Sequence, residues 1–188
     1  MTTATHPQQQ SPRDNRINQI AQAVRAIPDF PKPGILFRDM MPVLKDAQLF
    51  QSLVDIFYQG LKDKNIQYVI GIESRGFILG APLAAKLGAG FVPVRKIGKL
   101  PGLVEKHEYE LEYGSDTVEM QQDAIEPGAR VVLIDDLLAT GGTAGAAAKL
   151  IETLKGELAE ILFLIELDFL EGRQKLPEGV PVTTLIHY

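Results

Sequence analysis

The stretch Val131-Val132-Leu133-Ile134-Asp135-Asp136-Leu137-Leu138-Ala139-Thr140-Gly141-Gly142-Thr143 carries more fold information than any other in the chain. Four apolar residues of β-branched character read as a buried strand. Two adjacent carboxylates stand where that strand is expected to end, and a small-residue turn, Ala139 to Thr143, opens a helix. A strand that runs through a tight turn into a helix N-terminus captures phosphate with backbone N–H groups. Carboxylates repel phosphate, so the two acids suit sugar hydroxyls or a divalent cation instead. A phosphate cradle beside two hydroxyl acceptors points to a ribose phosphate ligand. The competing phosphate motifs are absent: there is no Gly-x-x-x-x-Gly-Lys-Ser/Thr, and no Gly-x-Gly-x-x-Gly following a strand.

On either side of this stretch the pattern alternates between strand and helix. Tyr68 to Ile72 reads as a buried strand ending at Glu73, followed by a helix from about Gly76 to Leu87 and a second strand from Gly90 to Val94. After Thr143 comes a helix with Ala147, Leu150, Ile151 and Leu154 facing inward and Gly156 as its stop. Ile161 to Ile165 is another apolar strand, and Pro181 to Ile186 supplies an edge strand. Nearer the N-terminus, Ile17, Ile20, Ala21 and Val24 recur at helical spacing, which predicts an amphipathic helix over residues 15–27. Asp46 is placed to cap a further helix with the stripe Leu49, Phe50, Leu53, Val54, Phe57 and Leu61. The segment from Tyr109 to Gln122 breaks the alternation and resembles a hairpin. The pattern implies an α/β fold, a mostly parallel central sheet covered by helices on both faces. Ligands of such sheets bind at the carboxyl ends of strands. Glu73-Ser74-Arg75, Arg95-Lys96 and Asp135-Asp136 all fall at those ends.

With 188 residues the chain suits one domain with a sizeable core. A net charge of −5 argues against a nucleic-acid groove and against an anionic membrane surface. Zero cysteines exclude disulfides, thiol catalysis and Cys-ligated zinc. Their absence fits a reducing, cytoplasmic setting. No apolar run approaches the roughly 20 residues of a membrane helix. Residues 1–15, with Gln8-Gln9-Gln10, Pro7 and Pro12, read as a disordered tail without a signal-peptide core. His6, His107 and His187 form no ligand-spaced cluster.

The acidic pair and the turn after it resemble the ribose-phosphate signature of the type I phosphoribosyltransferases. The wording Asp-Asp-Leu-Leu-Ala-Thr-Gly-Gly-Thr is closer still to the adenine-specific branch. The resemblance implies the fold of that family, with a small N-terminal hood (about residues 16–45) and a flexible active-site loop or hairpin (about residues 95–113) on a single domain of residues 16–188. It implies that Asp135 and Asp136 meet the ribose hydroxyls of phosphoribosyl pyrophosphate, and that Ala139, Thr140, Gly141, Gly142 and Thr143 hold the 5′-phosphate. Arg75 resembles the family's pyrophosphate arginine, a role that suits the paired donors of a guanidinium. Arg95-Lys96-Ile97-Gly98-Lys99-Leu100-Pro101-Gly102 resembles the start of the flexible loop, which implies that Arg95, Lys96 and Lys99 face pyrophosphate, with Arg95 able to act across a dimer.

Tyr109-Glu110-Leu111-Glu112-Tyr113-Gly114 closes that loop, and Glu112 matches the family's catalytic glutamate, which manages a proton on the purine. A carboxylate in a closed, low-dielectric site suits that work. Asp29-Phe30-Pro31-Lys32-Pro33-Gly34-Ile35-Leu36-Phe37-Arg38-Asp39 resembles the base-recognition segment. There Phe37 offers a stacking face, and the backbone of Leu36 and Arg38 reads adenine. Met40-Met41-Pro42 departs from the Ile-Thr-Pro-like sequence common in the family. The implied reaction joins adenine to the phosphoribosyl group, yielding AMP and pyrophosphate. Mg²⁺ would be bound through the substrate rather than in a dedicated metal site, and the enzyme would be a homodimer with no nucleic-acid or membrane partner. Two alternatives stand beside it: a 6-oxopurine (hypoxanthine, guanine or xanthine) as the base, and a regulator that only senses phosphoribosyl pyrophosphate.

Overall fold

Ser11 and Asp14 start the first helix by capping each other's backbone. The Ser11 hydroxyl accepts from the Asp14 N–H at 3.2 Å, and the Asp14 carboxylate accepts from the Ser11 N–H at 3.2 Å. In the computed structural model, which describes residues 11–110 and 114–188, this capping box opens α1 (Pro12–Ala23). The helix therefore begins and ends earlier than its apolar spacing predicts. Residues 12–15 are helical rather than part of a tail, and residues 1–10 lie outside the described residues. At the other end, the predicted last turn is extended instead. Pro28 disfavours helical backbone at the residue before it, and Arg25–Pro28 forms β1, paired antiparallel with β2 (Leu36–Asp39). The ribbon is closed at one end by Arg25, whose Nε lies 3.1 Å from Asp39 Oδ2. Two helices follow, α2 (Met41–Lys45) and α3 (Ala47–Leu61). Asp46 caps α3 as expected, accepting from the N–H groups of Gln48 and Leu49 at 2.9 and 3.0 Å.

The chain divides into two compact units, Met1–Ile56 and Phe57–Tyr188. The larger unit contains β3 (Tyr68–Ile72), α4 (Arg75–Leu87), β4 (Gly90–Lys96), β5 (Val104–Glu110), β6 (Ser115–Gln121), β7 (Arg130–Leu138), α5 (Gly142–Thr153), β8 (Glu157–Glu166) and β9 (Val182–His187). Two 3-10 turns, Asp168–Leu170 and Gly172–Lys175, lie between β8 and β9. The sheet runs β5-β6-β4-β3-β7-β8-β9. Strands β4, β3, β7, β8 and β9 are mutually parallel, and β6 is antiparallel to both β4 and β5. This is the mostly parallel α/β sheet expected from the alternation.

Side-chain alternation along β7 shows why it needs cover on both faces. Val131 and Leu133 pack into one core with Ala147, Leu150 and Ile151 of α5. Ile134 faces the other way: a Cβ added to Gly80 of α4 would come within 3.1 Å of its Cγ2. All four residues from Val131 to Ile134 are fully buried, which is why the run carries no polar alternation.

Three further features refine the sequence-based reading or differ from it. The strands extend further than their apolar runs, because the ladder continues under polar residues: β7 includes Asp135 and Asp136, and β4 includes Arg95 and Lys96. The segment expected as a flexible loop or hairpin takes the hairpin form among its described residues. Residues 95–96 end β4 and residues 104–110 form β5, leaving 97–103 as the connection. Glu119, buried on β6, gathers that connection by accepting from the N–H groups of Lys99 and Leu100, both at 2.9 Å. Finally, the left-handed residue after α5 is Lys155 (φ +60°), not Gly156. Gly156 serves close packing, since a Cβ there would stand 2.7 Å from Ile125 and 2.9 Å from Ile151. No helix among the described residues is long and apolar enough to cross a membrane.

Candidate active site

Two neighbouring parallel strands, β3 and β7, each run through a turn into a helix at their carboxyl ends. The β3 turn carries Glu73, Ser74 and Arg75, and the Glu73–Ser74 peptide is cis. Arg75 reaches across to β7 and places its Nε 2.5 Å from Asp136 Oδ2. Burial works against the Arg75 charge, but Asp136 and then Asp135 outweigh it, so the guanidinium holds its proton more tightly than usual. Asp135 has the opposite fate. Burial, and next the charge of Asp136, push its carboxyl well above the ordinary value of 3.8. The Asp136 N–H donates to Asp135 Oδ1 at 2.8 Å. A pair of crowded carboxylates with, among the described residues, Arg75 as its paired cation is a strong acceptor for hydroxyl donors.

The turn after β7 has no charged side chain. Gly141 is in the left-handed region at φ +78° and forms the N-cap of α5. A Cβ at Gly141 would lie 2.1 Å from the Gly172 carbonyl oxygen, so only glycine fits. Ala139, Thr140, Gly141, Gly142 and Thr143 thus present backbone at a helix N-terminus, the arrangement that receives a phosphate.

The cations expected to act together are separated. Arg95 and Lys96 are adjacent on β4 and point to opposite faces. Arg95 Nε donates to Glu73 Oε2 at 2.9 Å, and Lys99 Nζ pairs with Glu73 Oε1. Burial raises the affinity of the Glu73 carboxyl for its proton, but Lys99, Arg95 and the Lys96 N–H overcome that and hold its pKa below the usual range. Lys96 instead pairs with Asp116 on β6 and donates to the Tyr109 hydroxyl at 2.5 Å. Tyr109, expected in a loop, is a buried β5 residue. Its hydroxyl accepts from Thr143 Oγ1 at 3.0 Å, and a Cβ on Gly142 would stand 3.0 Å from its ring. Tyr109 therefore joins the hairpin to the turn after β7. Glu112, expected as the catalytic acid or base, lies outside the described residues.

The residues expected to recognise the base belong to the smaller unit. Leu36, Phe37 and Arg38 form most of β2, and the rings of Phe37 and Phe30 meet edge to face at 5.2 Å. The two-methionine departure has a local account. Met40 is buried and Met41 is half exposed, with its N–H donating to Asp39 Oδ1 at 2.9 Å. The Asp39 carboxylate thus supplies a hydrogen bond at the start of α2 without a threonine.

The sequence reading placed Glu73 in a candidate turn but gave its side chain no role, and it gave no part to Asp116, Gly172 or Arg173. Glu73 carried a signal, an acid at a strand's carboxyl end two residues before Arg75. Gly172 carried none, because its partner is 31 residues away in sequence (172 − 141).

Residues 43–178 match the family model described as the phosphoribosyl transferase domain. The adenine phosphoribosyltransferase of Acidobacterium capsulatum is 56% identical over 165 residues, covering 88% of this chain and 91% of that protein. The Synechococcus sp. adenine phosphoribosyltransferase is 58% identical over 165 residues, covering 88% and 96%. Among solved structures, Saccharomyces cerevisiae adenine phosphoribosyltransferase in complex with D-2,5-dideoxy-2,5-imino-altritol 1,6-bisphosphate and adenine superposes with a TM-score of 0.88. It is 48% identical, with 91% of this chain and 98% of that one covered. The Trypanosoma brucei adenine phosphoribosyltransferase in complex with AMP, pyrophosphate and ribose-5-phosphate gives a TM-score of 0.84 at 28% identity, covering 94% and 80%.

Proposed function

The chain belongs to the phosphoribosyltransferase family, and from that premise we propose that it transfers the 5-phosphoribosyl group of phosphoribosyl pyrophosphate to adenine, releasing AMP and pyrophosphate in purine salvage. The observation that carries this reading is the juxtaposition at β3 and β7: a crowded acidic pair, a bare backbone phosphate turn and a cationic turn at adjacent carboxyl ends. Such a set divides a tri-functional substrate among three kinds of partner. Hydroxyl acceptors at Asp135 and Asp136 take the ribose, the backbone from Ala139 to Thr143 takes the 5′-phosphate, and Arg75 with Arg95 and Lys99 takes the departing pyrophosphate.

As the C1–O bond to pyrophosphate breaks, positive charge develops at the ribosyl centre and negative charge on the leaving group. Cations fixed at the pyrophosphate and carboxylates fixed at the sugar stabilise both, and they do so without rearranging at the moment of reaction. The adenine nitrogen attacks C1, and its ring must lose a proton. Glu112 is the proposed acceptor. Lys96 is assigned a different part from the other cations: with Asp116 and Tyr109 it ties the hairpin to Thr143. Mg²⁺ is proposed to arrive with phosphoribosyl pyrophosphate, where it offsets phosphate charge, and the acidic pair is of the oxygen-donor chemistry that tolerates it. Leu36 and Arg38 backbone groups and the Phe37 ring are proposed to receive the base within the smaller unit, a hood in functional terms. A homodimer, with Arg95 serving a neighbouring site, is the proposed assembly.

The deciding experiment is AMP formation from adenine, phosphoribosyl pyrophosphate and Mg²⁺, with hypoxanthine, guanine and xanthine assayed in parallel. Adenine-selective turnover is expected. Preference for a 6-oxopurine would discard the assignment of Leu36 to Arg38 while keeping the transfer chemistry. The Glu112→Ala variant should lose turnover far more than affinity for phosphoribosyl pyrophosphate, and near-wild-type turnover would remove Glu112 from the mechanism.

A further inference from the structure

The turn from Ala139 to Gly141 has little of its own to hold it. Its side chains are small and its key residue is a glycine with φ +78°. A phosphate cradle made of backbone works only if its N–H groups are fixed before the ligand arrives. The structure supplies a wall behind it. Gly172 approaches so closely that a Cβ there would stand 2.1 Å from the Ala139 carbonyl oxygen and 3.0 Å from Leu138. The approach is reciprocal, because a Cβ on Gly141 would meet the Gly172 carbonyl at the same 2.1 Å. One helical turn on, a Cβ on Gly145 would stand 2.5 Å from the Lys175 carbonyl. Three glycines thus let the backbone of residues 172–175 lie directly against the phosphate turn and the start of α5.

That wall is itself anchored. Arg173 makes a two-pronged contact with Glu166, Nε to Oε1 and Nη2 to Oε2, each at 2.7 Å. Glu166 ends β8, is buried, and also accepts from Thr184 Oγ1 of β9 at 2.8 Å. Arg173 Nη2 reaches the same Thr184 hydroxyl at 3.3 Å. Glu166 stands beside Leu138 in the ladder, and the next residue, Leu167, donates its N–H to the Leu138 carbonyl at 2.9 Å. The carboxylate that fixes Arg173 is therefore part of the strand pair that ends in the phosphate turn. No residue of this group is placed to meet the ligand through its side chain in the assignments above.

We propose that Gly172 and Arg173, with Glu166 and Thr184 behind them, are positioning residues that brace the phosphate turn and set the affinity for the 5′-phosphate of the nucleotide. The proposal rests on the assignment of Ala139 to Thr143 as the phosphate site. It makes one separation that general destabilisation would not. AMP carries the 5′-phosphate and depends on the braced turn. Inorganic pyrophosphate depends on the cations around Glu73 and Asp136 and does not.

The test is calorimetric titration of the full chain with AMP and, separately, with pyrophosphate and Mg²⁺. The proteins are wild type, Gly172→Ala, Arg173→Ala and Arg173→Lys, with Gly141→Ala as a direct probe of the turn's shape. Gly172→Ala and Arg173→Ala should weaken AMP by about tenfold or more, the scale of a misplaced binding group, and leave pyrophosphate unchanged. Arg173→Lys, which keeps the charge but not the two-pronged contact, should fall between. Unchanged AMP affinity in both Gly172→Ala and Arg173→Ala overturns the brace, as does an equal loss for both ligands. If Gly172→Ala does not fold, Arg173→Lys decides by the same criterion. A loss of AMP binding in Gly141→Ala alone would keep the phosphate turn and overturn the brace. No loss in Gly141→Ala would overturn the phosphate assignment, and the brace with it.

Discussion

The turns after β3 and β7 are built alike and equipped differently. Each joins a buried parallel strand to a helix N-terminus, and the two strands are neighbours in the sheet. Yet the β3 turn gathers side-chain charge: Arg75 on Asp136, and Arg95 and Lys99 on Glu73. The β7 turn offers backbone alone, shaped by glycine and closed in by residues 172–175. On the proposed assignment, the difference suits two anions with different fates. A phosphate that stays on the product needs a fixed, shape-defined cradle. A pyrophosphate that departs carries more charge and must be released, so side-chain cations already shared with Glu73 and Asp136 suit it. Those carboxylates hold the cations in place before the anion arrives.

The severest way to break the comparison is Gly141→Ala. The new Cβ would collide with the backbone of Gly172, and neither side can yield like a flexible side chain. We expect kcat/KM for phosphoribosyl pyrophosphate to fall by about 10³-fold, roughly 4 kcal/mol of transition-state stabilisation. Steady-state kinetics alongside AMP titration would show it, and a turn that tolerates alanine would mean that its shape is not what binds phosphate.

Next in size is Arg75→Ala. Pyrophosphate affinity should drop by about tenfold to a hundredfold, the range for losing a hydrogen bond to a charged group. Arg75→Lys should restore little of it, because the ammonium is a point charge without the guanidinium fork. Competition binding with pyrophosphate measures both. Full activity in Arg75→Lys would show that charge, rather than geometry, is what the turn supplies.

Ionic strength sharpens the contrast without any substitution. Raising it from about 0.01 to about 1 M shortens the screening length from about 30 to about 3 Å. Pyrophosphate affinity should decline more steeply with salt than AMP affinity, since exposed side-chain charges are screened more than a backbone cradle. Equal slopes in titrations at several salt concentrations would erase the distinction between the two turns.

The smallest effect concerns stability. The Asp135 carboxyl has a raised pKa because it is buried and crowded by Asp136. Its contribution to stability is therefore present below the ordinary value of 3.8 and lost as pH rises through the higher folded value. Asp135→Asn removes that cost at neutral pH, and the melting temperature of the ligand-free protein should rise, while turnover is lost. A melting temperature that falls instead would mean that the attraction between Arg75 and the Asp135 charge outweighs the cost of burying that charge.

Which parts of this were legible beforehand follows the range of the interactions. The strand at Val131 to Ile134 was readable because burial on both faces writes an unbroken apolar run into neighbouring residues. Asp46 was readable as a cap because its bonds reach only two and three residues ahead. The first helix was misplaced at both ends, since Ser11 with Asp14 and the residue before Pro28 are local signals that the apolar spacing overrode. The division of Arg95 from Lys96 needed only the two-residue period of a strand. It stayed hidden because the strand's extension past Val94 depends on pairing with β6.

By itself, then, the sequence determined the α/β alternation, the two strand–turn–helix junctions and the chemical character of the site, all of which are set by residues within a few positions of one another. The tertiary structure alone decided which charges neutralise which and what holds the phosphate turn in place. Glu73 meets Arg95 and Lys99 across 22 and 26 residues, and Gly172 meets Gly141 across 31. Contacts of that kind arise when the sheet brings strand ends together. Their partners share no period or spacing that a linear reading can detect.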